Sequence, residues 1–354
     1  TLETRKKMML KAFEKIMRYD RAIFEGFAKR ELPYGENPHQ RAYFVPDQNA
    51  EFTWQLVNPD STSAPLSYNN MLDAQSALAA VRDAYAAAVP GMGACAIVKH
   101  ENPCGLATAG TLSDAFERAW QGDPKSAYGG VVAFSSQLTV ECARQFEEKY
   151  FEVVLAPGFE EGAIEELLRK KKKPRILNSN YPKPKFEQKR TRIEGGVLVQ
   201  NLDEFIREEL KLVTQAKFPH ELDGLARFGI IAAKWLKSNA VAVVRELSDG
   251  GYQLIGAGAG QGTRVESVQR LAVPRARDFF LKKLNRDLTK ADFDRCVLVS
   301  DGFFPFPDGI EEAHLGGIRH IVQPGGSIRD AEAIAACDRL GVAMVFTSRR
   351  HFRH

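Results

Sequence analysis

The apolar positions along this chain follow two patterns, a spacing of three or four residues and short continuous runs. Apolar residues spaced three or four apart predict helices over residues 4–30 and, in an alanine-rich stretch, over residues 71–88. Short and almost continuous apolar runs, such as "ACAIV" at residues 94–98, predict buried strands. The turn after this run is expected at the proline–glycine stretch Pro103–Gly105. Further helices are predicted within 112–122, 139–150, 226–237 and 328–341, and further strands within 129–136, 152–158, 240–246, 252–258, 296–309, 320–327 and 343–348. Regular alternation of strands and helices predicts a layered α/β fold.

A basic, proline-containing segment interrupts this alternation at residues 167–196. Its weak periodicity predicts a boundary, which divides the chain into a leading helix or connector (1–33), a first subdomain (34–196) and a second subdomain (197–354). The lysine run in the segment is most simply a solvated helix end, and a docking surface for a polyanionic tail is the alternative.

Composition excludes several classes of protein. A chain of 354 residues is long enough for about two domains, and 44% hydrophobic with 27% charged residues is typical of a soluble globular protein. The net charge of +4 does not argue for a nucleic-acid partner, and no apolar run approaches the ~20 residues that span a bilayer. "TLETRKKMML" lacks the apolar region of a signal peptide. Five scattered cysteines without a CxxC pair encode neither a disulfide framework nor a cysteine zinc site, so a cytoplasmic protein is expected.

Polar clusters follow several predicted strands, where ligands collect in open α/β sheets. Lys99 and His100 come directly after the apolar run at 94–98, and Asp301 with Phe303–Asp308 follows another strand. The remaining clusters are Gln323–Ser327 and the C-terminal "SRRHFRH", which contains Arg350 and His354. Taken alone, Lys99–His100 is most simply an exposed strand tip. Four such clusters in one chain predict a site.

Two motifs resemble known signatures only in part. The glycines at 256, 258, 260 and 262 lack the GK[ST] of a P-loop and the GxGxxG spacing, so a tight turn with close helix–strand packing is the simpler interpretation. "HENPCG" at 100–105 approaches the zinc deaminase signature, but its glutamate adjoins the histidine and the second cysteine is missing. A zinc deaminase is therefore not expected.

A set of collinear motifs resembles a known family. They are "YGENPHQ", "LSYNNMLDA", "VKHENPCG", "SAYGGVVAFS", "KSNAVAVV", "GAGQGTRVESV", "SDGFFPFPDG", "QPGGSIRD" and "RHFRH". Over residues 1–354 the chain is similar to the AICAR transformylase domain of the bifunctional purine-biosynthesis enzyme. "TLETR" resembles the junction that leads out of that enzyme's IMP cyclohydrolase domain, so ring closure to IMP is not expected of this chain and a separate cyclohydrolase is a conceivable partner.

The resemblance implies formyl transfer from 10-formyltetrahydrofolate to the 5-amino group of AICAR. It also implies two cytidine-deaminase-like α/β/α subdomains in tandem without zinc, no tightly bound cofactor, small-molecule substrates, and a homodimer with sites at the subunit interface. By motif, the implied catalytic residues are Lys99, His100 and Asn239, of which Asn239 would orient the nucleotide. The implied substrate-binding residues are Tyr34, Gly35, Asn102, Phe303, Asp308, Arg350 and His354, and Asp301 would help to hold a structural potassium ion.

The implied chemistry gives Lys99 and His100 distinct roles. The AICAR amine is a poor nucleophile, and imidazole, which titrates near neutral pH, suits the removal of its proton. A lysine can supply positive charge to the developing oxyanion and a proton to the departing folate nitrogen. Pro33 departs from the family pattern, which has arginine there, so phosphate binding must depend on Arg350, backbone donors or another basic residue. The alternative function is a non-catalytic nucleotide-binding or interaction module on the same scaffold.

Overall fold

The protein is described by a computed structural model. It describes residues 1–46, 55–58, 65–169, 171–178, 188–204 and 207–354. Part of the basic segment, residues 170 and 179–187, lies outside the described residues.

Helices and strands alternate through the described chain. The α-helices are α1 (Leu2–Ala28), α2 (Tyr68–Ala87), α3 (Leu112–Gly122), α4 (Pro124–Ala127), α5 (Val140–Arg144), α6 (Ala163–Leu168), α7 (Asp223–Trp235), α8 (Arg264–Glu266), α9 (Val273–Leu284), α10 (Asp308–Leu315) and α11 (Asp330–Leu340). The strands are β1 (Arg30–Leu32), β2 (Ala42–Phe44), β3 (Gly93–Lys99), β4 (Asn102–Ala109), β5 (Gly130–Phe134), β6 (Phe151–Ala156), β7 (Arg175–Asn178), β8 (Gln188–Ile193), β9 (Gly196–Asn201), β10 (Lys211–Leu212), β11 (Val241–Glu246), β12 (Tyr252–Gly258), β13 (Cys296–Ser300), β14 (His320–Gln323) and β15 (Ala343–Phe346).

Within the described residues, one mixed sheet of eleven strands runs through both halves of the chain, in the order β10-β15-β14-β13-β11-β12-β4-β3-β5-β6-β7. Each half repeats one pattern: an antiparallel hairpin (β3–β4 or β11–β12), an antiparallel neighbour (β5 or β13), and then two parallel strands. The halves join where β12 pairs with β4 at Gln253 and Ala107. The predicted α/β class is confirmed, and the likeness of each half to cytidine deaminase stays a prediction.

Helices cover both faces of this sheet. On one face α2 and α7 pack against each other and bury a core that extends from Ala74 to Val345. On the other face each half has its own core, one around Phe116 and one around Phe280. Because the central strands are buried on both faces, they are continuous apolar runs rather than alternating ones. This explains why the strands were visible in the sequence.

The structure corrects the sequence prediction at the end of β3. The turn was expected at Pro103–Gly105, but the chain reverses at His100–Glu101 and Asn102–Ala109 returns as β4. Nor does the predicted helix at 139–150 run its full length, because α5 ends at Arg144. The short pairs β1–β2 and β8–β9 were not predicted, and the boundary proposed at 196/197 falls inside the β8–β9 hairpin and stays a prediction.

Helix α1 has no buried residue, although its apolar residues recur on one side. We call this set the α1 stripe; it comprises Met9, Phe13, Ile16, Met17, Ile23 and Phe27, all exposed. The side chains of the β8–β9 hairpin are likewise exposed throughout. Within the described part of the chain, no helix is long and apolar enough to cross a membrane.

Candidate functional site

The Lys99–His100 motif lies on a two-residue hairpin turn. Lys99 pairs with Asn102 at the ends of β3 and β4, which leaves His100 and Glu101 as the turn. Both turn residues have positive φ, 52° and 63°. Two-residue hairpins favour this conformation but normally fill it with Asn-Gly, because non-glycine residues with positive φ cost on the order of 1–3 kcal/mol each. Such strain persists only where neighbouring groups hold the turn, and it clusters at functional sites.

Asp73 of α2 is the first group that holds this turn. Its carboxylate accepts the backbone N–H of His100 at 3.2 Å and that of Glu101 at 2.6 Å. Burial raises the pKa of Asp73, and the two N–H donors oppose that rise. A single carboxylate therefore accepts both backbone N–H groups of the turn.

Asn102 ties the turn to the second half of the chain. Its Nδ2 donates to the carbonyl of His100 at 2.9 Å, and its Oδ1 accepts the backbone N–H of Lys237 at 2.9 Å. The Lys237 side chain also reaches Glu101, with 3.0 Å between Nζ and Oε2. Both ends of the Asn102 amide are thus bonded within the protein, and its role in substrate binding stays a prediction.

The two side chains of the motif differ in environment. Lys99 is half-buried, and its Nζ donates to the backbone carbonyl of Tyr128 at 2.9 Å. His100 is exposed at the tip of the turn. The ammonium is therefore held by a hydrogen bond, while the imidazole is open to solvent.

A cavity of about 370 Å³ lies in the second half, within the size range of small-molecule sites. It brings together three of the predicted residues, Asn239, Phe303 and Asp308. It is lined by Asn239, Gly262, Thr263, Arg264, Val265, Phe303, Phe304, Pro305, Phe306, Asp308 and Phe352. Since Asn239 follows Lys237 by two residues, the backbone that binds Asn102 continues directly into this cavity.

Asn239 is fixed by its neighbours. Its Nδ2 donates to the carbonyls of Gln261 and Gly262 at 3.0 and 3.2 Å, and its Oδ1 accepts from Arg264 at 3.1 Å. Close packing is confirmed for Gly256 and Gly258, where a Cβ would overlap a backbone carbonyl of the following helical segment, but not for Gly260 and Gly262. The run nevertheless contributes Gly262 to the cavity wall.

A buried ion pair, Arg264–Asp301, lies at the base of the cavity. Arg264 and Asp301 are almost fully buried and bond to each other, and Arg264 also donates to Ser300 Oγ at 2.7 Å. The second carboxylate oxygen of Asp301 accepts from Ser238 Oγ at 2.5 Å. Sequence reasoning did not identify Arg264, which begins α8 and whose contact with Asp301, just after β13, becomes visible only in the fold.

The C-terminal residues lie beside this cavity. Arg350 is exposed, and its guanidinium stacks 4.8 Å from the centre of the Phe352 ring, which lines the cavity. Within the part of the chain that the structure describes, the Arg350 side chain makes no ion pair or hydrogen bond. His354 is also exposed and lies against the same ring. An unpaired guanidinium at a cavity rim suits a phosphate or carboxylate.

The segment around Tyr34 is separate from the cavity lining. Tyr34 is exposed and Gly35 is buried, with the Gly35 N–H bonded to the carbonyl of Gln40 at 2.8 Å. Asn69, at the start of α2, donates to the carbonyl of Glu36 at 3.2 Å. The loop is thus anchored to the helix that carries Asp73, but neither predicted residue lies among those that line the cavity.

Sequence reasoning missed Asp73 and Arg353 as well as Arg264. Asp73 lies within the motif "LSYNNMLDA" and Arg353 within "RHFRH", so both were inside recognised motifs without an assigned role. Only the spatial approach of α2 and the C-terminus to the hairpin turn identifies them. Within the described residues, no group of three His, Cys, Asp or Glu side chains could hold a metal ion.

The comparisons with known proteins agree on one family. A family model described as AICARFT/IMPCHase bienzyme matches residues 1–275. The bifunctional purine biosynthesis protein PurH of Persephonella marina is 37% identical over 379 aligned positions, which cover 100% of this chain and 68% of the relative. PurH of Aquifex aeolicus is 36% identical and covers 100% and 69%, and PurH of Staphylococcus aureus is 37% identical and covers 99% and 66%.

Proposed function

Because this chain belongs to the AICARFT/IMPCHase bienzyme family and is a purine-biosynthesis formyltransferase, we propose how its residues transfer the formyl group of 10-formyltetrahydrofolate to the 5-amino group of AICAR. The observation that carries the proposal is the strained Lys99–His100 turn, which Asn102 and Lys237 connect to the Asn239 cavity. Folate is a co-substrate here, and no tightly bound cofactor is needed.

His100 is the general base of the proposed mechanism. As the AICAR nitrogen attacks the formyl carbon, a C–N bond forms and the amine proton passes to the imidazole. The exposed position of His100 at the turn leaves its ring free to meet the amine. The bond between the formyl carbon and the folate nitrogen then breaks, and that nitrogen takes a proton.

Lys99 stabilises the negative charge that builds on the formyl oxygen. Its ammonium is held by the Tyr128 carbonyl, so a second N–H remains to donate to the oxyanion and a third can deliver the proton to the leaving nitrogen. A pre-positioned cation costs no reorganisation during the reaction, which is why a fixed ammonium is effective here.

Substrate binding is assigned to the cavity and its rim. Phe303 offers an aromatic surface to a planar ring, and Asp308 can accept hydrogen bonds from ring nitrogens or amines. Arg350 takes the role of a phosphate ligand, which matters because Pro33 replaces the basic residue expected beside Tyr34. Asn239 and His354 complete the proposed set.

The potassium ion predicted at Asp301 does not fit the carboxylate. One oxygen bonds the buried Arg264 guanidinium and the other accepts from Ser238, so a cation at Asp301 would face a positive charge in direct contact. We therefore assign Asp301 as the counter-ion of Arg264 and route no step through potassium.

We also propose a homodimer in the cytoplasm. The α1 stripe and the exposed β8–β9 hairpin leave apolar surface that a second copy can bury, and patches of this kind typically mark interfaces. Five cysteines without a disulfide suit a reducing compartment.

Dilution below the dimer dissociation constant should abolish activity together with the dimer. Phe13→Asp should do the same at working concentration, whereas Lys15→Asp on the same helix should not; full activity in a sample that light scattering shows to be monomeric contradicts the proposal.

The decisive assay for the function follows tetrahydrofolate release from 10-formyltetrahydrofolate in the presence of AICAR. We expect His100→Ala to lower kcat by roughly 10²- to 10⁴-fold, with a smaller change in AICAR binding, since the proton moves only in the transition state. An unchanged melting profile is the control for folding. Neither the comparisons nor the described residues favour the alternative of a non-catalytic module; a parent chain that binds AICAR but releases no tetrahydrofolate would establish it.

A further inference from the structure

The penultimate residue, Arg353, binds the catalytic turn directly. Its Nη1 donates to the backbone carbonyl of Glu101 at 2.6 Å, and its Nη2 lies 3.3 Å from the Glu101 carboxylate. The same guanidinium donates to Ser76 Oγ of α2 at 3.0 Å and to the carbonyl of Trp235, at the end of α7, at 2.7 Å. One side chain thus joins the turn to the two helices that share a face of the sheet.

The contacts of Arg353 complement those of Asp73. Asp73 satisfies the two N–H donors of the turn, and Arg353 satisfies the carbonyl of Glu101 on its far side. Since His100 and Glu101 both have positive φ, the turn has few alternative ways to bond these groups without changing the direction of the His100 side chain. Asp73 therefore accepts from the turn on one side and Arg353 donates to it on the other, and together they hold the turn in one conformation.

The backbone of Arg353 is bonded as firmly as its side chain. Its N–H donates to Ser238 Oγ at 3.1 Å, and its carbonyl accepts from the Ser238 N–H at 3.0 Å. Ser238 in turn bonds Asp301, the partner of Arg264 beneath the cavity. Arg353 therefore links the turn that carries Lys99 and His100 with the floor of the nucleotide cavity.

We propose that Arg353 is a positioning residue that sets the orientation of His100 relative to the cavity, and this inference rests on the proposed formyl transfer. Arg353 does not touch substrate in this scheme. It acts on the reaction by holding Glu101, and with it the preceding residue, in the conformation in which the imidazole meets the AICAR amine.

The test compares Arg353→Met and Arg353→Lys with Arg339→Met as the control. Arg339 is an exposed arginine paired with Glu311 at 2.6 Å, away from the turn. Loss of a hydrogen bond from a charged group predicts a fall in kcat of about 10- to 100-fold for Arg353→Met, with KM for AICAR within about threefold. Arg353→Lys should restore little of the activity, because an ammonium cannot donate to the two carbonyls and the hydroxyl at once as the planar guanidinium does. Added guanidinium chloride at millimolar concentration should restore part of the activity of Arg353→Met and leave Arg339→Met unchanged.

A second readout does not depend on activity. Hydrogen exchange in the peptide that contains residues 100–102 should accelerate by about tenfold or more in Arg353→Met, while exchange in β11 and β13 stays at the parent rate. A kcat within threefold of the parent, unchanged exchange at the turn, or faster exchange spread through the whole sheet would each overturn the positioning role. An inactive parent would refute the proposed formyl transfer, and the exchange data would still decide whether Arg353 holds the turn.

Discussion

His351 forms a buried charged cluster whose effect on stability depends on pH. Its ring nitrogens lie 2.7 Å from Asp203 and 2.8 Å from Glu208. Arg349 lies near both carboxylates, and the charge of Lys234 also acts on Asp203. Burial by itself lowers the pKa of His351, but the hydrogen bonds and charges of Asp203 and Glu208 outweigh it and raise the pKa to about 9. The backbone N–H of His351 also bonds the carbonyl of Asp301. The cluster therefore anchors the C-terminal segment that carries Arg350 and Arg353.

The magnitude follows from the difference between the folded and unfolded pKa values. A rise in pKa from 6.5 to about 9 corresponds to roughly 3–4 kcal/mol of stabilisation by the protonated ring, since one pKa unit is worth about 1.4 kcal/mol. Because the folded state binds the proton more tightly than the unfolded state, this contribution is complete below pH 6.5. It declines as the pH rises and is lost once the pH has passed about 9.

The assay is thermal unfolding of the parent and of His351→Gln between pH 6 and 10. Glutamine removes the charge and keeps a donor of similar reach. At pH 6.5 we expect the Tm of the variant to lie roughly 3–6 °C below that of the parent, and this difference to shrink by most of its size by pH 10. His220→Gln is the matched control, because the His220 side chain is fully exposed.

Two results would refute the reasoning. A Tm difference that stays constant across this pH range would show that His351 acts by packing and not by charge. A variant as stable as the parent at pH 6.5 would show that the cost of burying the charged cluster equals its gain.

Two further substitutions test the site. Lys99→Arg should retain some formyl-transfer activity and Lys99→Met almost none, since the methionine removes the charge, whereas the planar guanidinium keeps it in a different shape. Equal kcat values for the parent and Lys99→Met would remove the lysine from the mechanism. Asp301→Asn should destabilise the protein by about 3 kcal/mol or more, because it leaves the buried Arg264 without a counter-ion, and chemical denaturation measures this. A loss below about 1 kcal/mol, the usual value of an exposed pair, would contradict the assignment of Asp301 as that counter-ion.

The class of fold and the chemical groups available were predictable from the amino-acid sequence. Strands such as β3 and β11 were predictable because a strand buried on both faces must be apolar throughout its length. Helices α2 and α7 were predictable from their periodicity. The motifs likewise identified the family and proposed Lys99, His100 and Asn239, because residue types that carry chemistry are visible in the chain without its fold.

The tertiary structure alone decided how these groups are held. His100 and Glu101 have no turn propensity that would predict a hairpin, so local sequence placed the reversal too late, at Pro103–Gly105. The turn exists because Asp73 and Arg353, 27 residues before and 253 residues after His100 in sequence, supply its hydrogen bonds. Contacts at such separations depend on how α2 and the C-terminal segment pack on the shared sheet, and local propensity contains no information about that packing.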